Sequence, residues 1–328
     1  MGQKPLSTVP LTAPENKHAR QNNPVIGPGC CLVAAAPTGT IESILRFCAA
    51  PAFAADTDWK KVDLVFRRSA AVSGAVHRYG LPRSDLKVTL DGVLIKPGFA
   101  LGGWVAFEPM GDTSMMMGDL VLTESEINPV MTKLLAEGLQ VTAVHNHLLR
   151  ASPPTFYMHV SGKGDPEQLA RMTRVALEQS QTPWEMGAAP APPATDLGIA
   201  TADIDQAIGF KGRSNNGVYQ FGVPRSDSIK QDGMAIPGAM GTAIAINFQP
   251  TGDGKAAITG DFVALASEVN PLVRALKDHG IEITAIHNHM LDEEPRAFFI
   301  HFWANNDAVK LAKGLRAGLD AVHVASHG

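Results

Sequence analysis

Val141–Arg150 reads VTAVHNHLLR, and Ile283–Asp292 reads ITAIHNHMLD. Each begins as a β-like apolar run and ends in His-Asn-His. Side chains alternate along a strand, so His145 and His147 share one face, about 6.6 Å apart along the backbone; His287 and His289 repeat the arrangement. The same spacing of 142 residues relates Pro82 to Pro224, Asp119 to Asp261, Asn128 to Asn270, Gly138 to Gly280 and His159 to His301. A fixed offset over so many landmarks is the signature of an internal repeat, so the chain consists of two similar domains in tandem. We read residues 1–54 as an export segment, 55–184 as the first copy, 185–200 as an Ala/Pro-rich linker and 201–328 as the second copy.

Within each copy the pattern predicts strands, a helix, a two-stranded hairpin and a closing helix. In the second copy 242–248 and 256–263 are β-like around the turn residues 250–254. Asn270-Pro271 reads as a helix start and Gly280 as its stop, matched by Asn128-Pro129 and Gly138. Further strands follow over 281–290 and 297–303, and the last helices start near Asp165 and Asp307. The class is α+β, each domain a mainly antiparallel sheet with two helices. No glycine-rich phosphate loop follows any strand, which disfavours a nucleotide-binding fold.

A hairpin about Pro153 places His147 opposite His159, and one about Pro295 places His289 opposite His301. The odd-numbered histidines then share one face, with opposed Cβ atoms about 5 Å apart. Val144, Phe156, Met158 and Val160, with Ile286, Phe298, Ile300 and Phe302, form the contrasting core face. Each copy is thus expected to hold a divalent ion through His145, His147 and His159, or through His287, His289 and His301. Glu126 and Glu268, two residues before the Asn-Pro pairs, are candidates for a fourth ligand or a base; a structural role at the helix start is the competing reading. Three imidazoles with one carboxylate suit Zn, Fe, Mn, Ni or Cu and not Ca or Mg. An open coordination position would allow hydrolytic or redox chemistry.

Two other readings stay open. One is a metal-free binder of a small molecule or cell-envelope ligand, using the histidines with Arg83 and Asp85, or Arg225 and Asp227, of the repeated PRSD. The other is a structural module in which duplication only builds a scaffold. As an internal ion pair PRSD needs no ligand. Met115–Met117 read as core filling, because the second copy has Ala256, Ala257 and Ile258 there.

Composition sets outer limits. The 328 residues are 45% hydrophobic with a net charge of -4, an ordinary globular balance with no basic field for nucleic acid. Cys30, Cys31 and Cys48 are the only thiols, so disulfides cannot staple either copy. Lys17, Arg20, the apolar 30–36 and the small-x-small Ala52-Phe53-Ala54 resemble an export signal, implying a periplasmic or extracellular protein if cleaved there and a cytoplasmic one otherwise. After Asp56 no apolar run is long enough for a membrane helix.

The blocks PRSDLKVTLDGVLIKP, MGDLVLTESEINPVM and VTAVHNHLLRASP of the first copy, with ITGDFV, EVNPLV, ITAIHNHMLDEEPR and HFWANNDAVKLAKGLRAGLD of the second, resemble the LppY/LpqO family. The resemblance covers essentially 58–319. It implies a bacterial, often exported protein with the two-copy layout, and it supplies no reaction.

Overall fold

A computed structural model describes residues 57–184 and 197–325. The export segment expected over 1–54, and most of the expected linker, lie outside the described residues. In the first copy the main elements, apart from a small hairpin (Thr89–Leu90 with Val93–Leu94) and a single helical turn (Pro97–Ala100), are α1 (Trp59–Phe66), β1 (Ala71–Ser73), β2 (Val76–Pro82), β3 (Gly102–Met110), β4 (Thr113–Thr123), α2 (Glu124–Glu137), β5 (Gln140–His145), β6 (Thr155–Gly164) and α3 (Pro166–Leu177). The second copy repeats them as α4 (Thr201–Ile208), β7 (Arg213–Asn215), β8 (Val218–Val223), β9 (Ile244–Gly252), β10 (Lys255–Leu265), α5 (Ala266–Asp278), β11 (Glu282–His287), β12 (Ala297–Asp307) and α6 (Ala308–Leu319). The two six-stranded sheets run β1-β2-β3-β4-β6-β5 and β7-β8-β9-β10-β12-β11, with every neighbour antiparallel. The expected class and tandem layout hold. Among the described residues no helix is long and apolar enough to cross a membrane.

The opening helices α1 and α4 are additions to the predicted order. Val62 and Phe66, like Ile204 and Ile208, are four apart and buried, the spacing that puts both on one helical face. Asp58 caps α1 by accepting the Lys60 N–H. The central helices begin earlier than Asn-Pro suggested: α2 starts at Glu124 and α5 at Ala266, leaving Pro129 and Pro271 inside the helix. Each proline is the sixth residue of its helix, past the first turn, and so removes one i→i−4 backbone bond. Gly138 and Gly280 end these helices with φ of 91° and 73°, as expected of glycine in the left-handed region.

Both faces of each sheet are covered. One packs on helices: Tyr79, Leu81, Val105, Phe107, Leu120 and Met158 cluster with Val62 and Phe66 of α1, Val130 and Leu134 of α2, and Leu169 of α3. On the alternate face Trp104, Ala106, Met115 and Met117 join the second copy's core. Val121 and Tyr157 pack with Ala257 and Trp303. The copies therefore dock sheet to sheet, with helices outermost on either side. Polar bonds lock this docking, including Gln249 Nε2 to Leu94 O at 2.7 Å, Gln220 Nε2 to Gly98 O at 2.9 Å and Arg78 to Ala239 O at 2.6 Å. Met115–Met117 are buried core, as read from the sequence.

The hairpin register differs from expectation. Ala143 pairs with His159 and His145 with Tyr157, and β5 ends at His145; the second copy pairs Ala285 with His301 and His287 with Phe299. An extra residue, Thr142 or Thr284, interrupts each ladder, a bulge of the kind that re-aims side chains. The slip from the expected pairing spans an even number of residues, so the histidines keep a common face. Val144 and Ile286, expected in the core, are 40% and 50% exposed at the ends of these edge strands.

Candidate metal centre

The histidine-bearing faces are the two that meet. His145 stacks on His287 with centroids 3.4 Å apart, His147 on His301 at 3.7 Å, and His159 on His289 at 3.8 Å. Shifting any of these pairs by the repeat offset returns a pair in the same set: the first maps onto itself, and the other two exchange. The site thus straddles a pseudo-two-fold axis. Separate three-histidine sites, one per copy, were expected; all six rings instead join in one cluster at the junction. The reason is topological, because β5, β6, β11 and β12 present their odd-numbered faces to the opposite sheet rather than to a cleft within their own domain.

The donor atoms are close. Nε2 of His145 and Nε2 of His159 are 2.9 Å apart. One ring nitrogen from each of His145, His159, His287 and His289 lies within 4.8 Å of the other three, and the same limit holds for His145, His147 and His301. Two carboxylates join them: Asp261 places Oδ2 3.3 Å from His289 Nε2 and Oδ1 3.7 Å from His301 Nε2, and Asp119 Oδ1 is 4.0 Å from His159 Nε2. The positions follow from the ladder, where Asp119 is directly opposite His159 and Asp261 opposite His301. In the sequence this Asp pair stands out only as a repeat landmark. Its position preceded by a repeated glycine, Gly118 or Gly260, in an apolar strand was the available signal.

Several of these atoms are buried with no hydrogen-bond partner among the described residues: Nε2 of His147, His287, His289 and His301, and Oδ1 of Asp119 and Asp261. Buried polar atoms are normally paired, so six orphans at one spot call for a ligand. Some rings are oriented for it. His301 Nδ1 lies 2.7 Å from Gly260 O and His287 Nδ1 2.9 Å from Asn288 O. A ring donating Nδ1–H to a carbonyl leaves Nε2 with its lone pair, the support that metal-bound imidazoles commonly have.

Electrostatics favour neutral rings. Burial, followed by repulsion from neighbouring imidazoles, holds His145, His147, His159 and His289 far below the ordinary histidine range. Burial takes His301 down to about 3, with Asp261 pulling the other way, and lowers His287. Burial and then Asp261 push Asp119 up to about 8, opposed by Arg78; burial also raises Asp261. The cluster borders a cavity of about 1040 Å³, lined from the first copy by Arg78, Trp104 and Tyr157 and from the second by Gln220 and Asn247. The Arg78 guanidinium lies 3.9 Å from the Trp104 ring centre.

Glu126 and Glu268 are not brought to the histidines. Glu126 binds Arg83 at 2.7 Å and accepts the Thr123 N–H at 2.8 Å; Glu268 binds Arg225 at 2.9 Å and accepts the Leu265 N–H at 2.7 Å. A guanidinium as buried as Arg83, 1% exposed, requires carboxylates, and Asp85 supplies the second at 2.8 Å, as Asp227 does for Arg225. The PRSD charges are therefore consumed internally and do not face the cavity. His323 lies beside Asp227 and Glu268. Asn288 donates to Thr142 O and Met290 O, the hydrogen-bonding role expected of the central residue of His-Asn-His.

One family model matches the chain twice, over 60–179 and 202–321, and its description is Domain of Unknown Function (DUF1259). No curated protein matches. Solved structures with some likeness include a trimeric bacterial microcompartment shell protein, PduB, at 12% identity, covering 77% of this chain and 90% of that one with a TM-score of 0.20. A double-ringed trimeric shell protein, MSM0271 from the RMM microcompartment, has 12% identity over 67% and 89%, TM-score 0.20. EtuB from Clostridium kluyveri has 10% identity over 77% and 90%, TM-score 0.18. Likeness at this level transfers neither fold nor assembly.

Proposed function

Because the chain belongs to the family of the Domain of Unknown Function (DUF1259), in two tandem copies, its activity has to be read from its own site, and we propose that it is a transition-metal-binding protein. The observation that carries this is the convergence of buried, unpartnered ring nitrogens and carboxylate oxygens from both copies onto one spot. Imidazole-rich sets with some carboxylate select Zn, Fe, Mn, Ni or Cu, and the depressed basicity of the rings keeps their lone pairs available at neutral pH. The adjoining cavity gives a small molecule access to the metal. Hydrolysis by activated water and redox chemistry with Fe or Cu are the two reaction classes this arrangement serves. Within the family we place the chain with the LppY/LpqO group and propose that it is exported, with cleavage after Ala54; N-terminal sequencing of the protein recovered from outside the cytoplasm tests this.

The test of the metal reading is elemental analysis of protein purified without a histidine tag. One or more transition-metal ions per chain is the expected result. Less than about half an ion per chain, before and after incubation with Zn, Mn, Fe, Ni and Cu salts, refutes it. The cavity, with Arg78 over Trp104, favours metal-free binding of a small molecule as the second reading.

A further inference from the structure

We infer that the cluster is built for two transition-metal ions, one on each side of the His145–His287 stack, with the Asp261 carboxylate reaching both. This rests on the metal-binding reading above and goes beyond it in number, arrangement and the role of the aspartates.

The first support is the donor count. Six imidazoles and two carboxylates converge, and a single transition ion takes four donors in a tetrahedral set or six in an octahedral one. One ion would leave at least two buried donors without a partner, which is costly. Two ions, with Asp261 shared between them, leave fewer donors unsatisfied, and the donors group accordingly as His145, His159, His287 and His289 on one hand and His145, His147 and His301 on the other.

The second is the spatial division. His159 with His289, and His147 with His301, are the outer pairs, each taking one ring from either copy. Between them stands the central stack: His145 is 5.0 Å from His159 and 5.4 Å from His301, and His287 is 4.8 Å from His301 and 5.8 Å from His159, centroid to centroid. The repeat offset exchanges the outer pairs, so whatever one pair can bind the other can bind as well.

Asp261 supplies the third. Its Oδ2 is nearest His289, a member of one outer pair, and its Oδ1 is near His301, a member of the other. A carboxylate with one oxygen toward each pair is placed as a bridge between ions as close as those of two-metal sites, about 3.5 to 4 Å. Asp119 is its repeat counterpart, beside His159.

The experiment uses the full chain, untagged, stripped with chelator and reloaded with Mn²⁺ or Zn²⁺. Two ions per chain are expected by elemental analysis, and an exchange-coupled electron paramagnetic resonance spectrum at full Mn²⁺ loading. The double variants His147→Ala/His301→Ala and His159→Ala/His289→Ala should each retain one ion, and Asp261→Asn should weaken the coupling. One ion in the parent chain, or an isolated Mn²⁺ signal at full loading, overturns the two-ion centre and leaves the metal reading standing. No ion overturns both. A double variant that loses both ions while keeping the parent circular dichroism overturns the division into two pairs; the spectrum of the parent chain remains decisive should a variant not fold.

Discussion

Lowering the pH from 7.5 to 5.5 should destabilise the metal-free protein by several kcal/mol. Five histidines, His145, His147, His159, His289 and His301, titrate far below their ordinary range because burial penalises their charged form, and burial lowers His287 as well. In the unfolded chain each has a pKa of about 6.5, so the unfolded state takes up protons that the folded state refuses. Stability from such depressed groups is present above pH 6.5 and lost as pH falls. At pH 5.5 each of the five shifts the balance by about 1.4 kcal/mol, roughly 7 kcal/mol together, against under about 0.5 kcal/mol in all at pH 7.5. Asp119 acts with the opposite sign. Its pKa is raised to about 8, so its contribution is full below the unfolded value and lost as pH rises, and acidification returns about 2 to 3 kcal/mol. Asp261 is raised as well and adds in the same direction. The net loss of about 4 kcal/mol, to which His287 and Asp261 add with opposite signs, compares with a total stability of about 5 to 15 kcal/mol for an ordinary domain. Urea denaturation of chelator-stripped protein at both pH values, followed by far-ultraviolet circular dichroism, measures it. Unfolding free energies that agree within about 1 kcal/mol would refute the reasoning, because the rings could not then be both buried and neutral.

Arg83→Met, leaving Glu126 and Asp85 without their cation, should cost about 3 to 5 kcal/mol in chemical denaturation, and Arg225→Met the same, while the folded fraction keeps the parent metal content. Gly260→Ala should destabilise by about 1 to 3 kcal/mol or more, since a Cβ there would run into the carbonyl oxygen of Ala245; calorimetry reads the lowered midpoint. Thr142→Val removes the hydroxyl donated at 2.5 Å to His289 O across the junction, and should cost about 1 to 2 kcal/mol and weaken metal affinity measured by competition with a chromophoric chelator.

The tandem layout and the strand and helix types were legible because a repeated sequence supplies its own alignment: two copies agreeing on Gly138 and Gly280, or on His159 and His301, separate signal from noise. The histidine face was legible because parity along a strand survives any even slip in register, and the slip between β5 and β6 was even. What could not be read was where that face points. Alternation distinguishes two faces of a sheet without saying which meets helices and which meets another sheet, and here both are covered. Glu126 shows the limit differently. Its place before a helix fits a ligand or a helix-start residue equally, and only the burial of Arg83 through the fold assigns it. The aspartates were missed because an isolated carboxylate in an apolar strand acquires meaning only once the ladder sets it opposite a histidine.

The same geometry explains why the chain needs both copies. One domain alone would present His145, His147, His159 and Asp119 on an uncovered sheet face beside Trp104, Met115 and Met117, in water rather than in a buried pocket. Its rings would return toward their ordinary basicity, because the burial that depresses them is supplied largely by the opposite sheet. His147 also finds its stacking partner His301, and His159 its partner His289, only across the junction. Duplication of a single strand pair bearing three histidines therefore produces, by pseudo-symmetric docking, a site that neither copy contains. Stability and donor geometry are coupled in it: the apolar contacts that close the two sheets are the same contacts that strip water from the donors and leave them to be satisfied by a ligand.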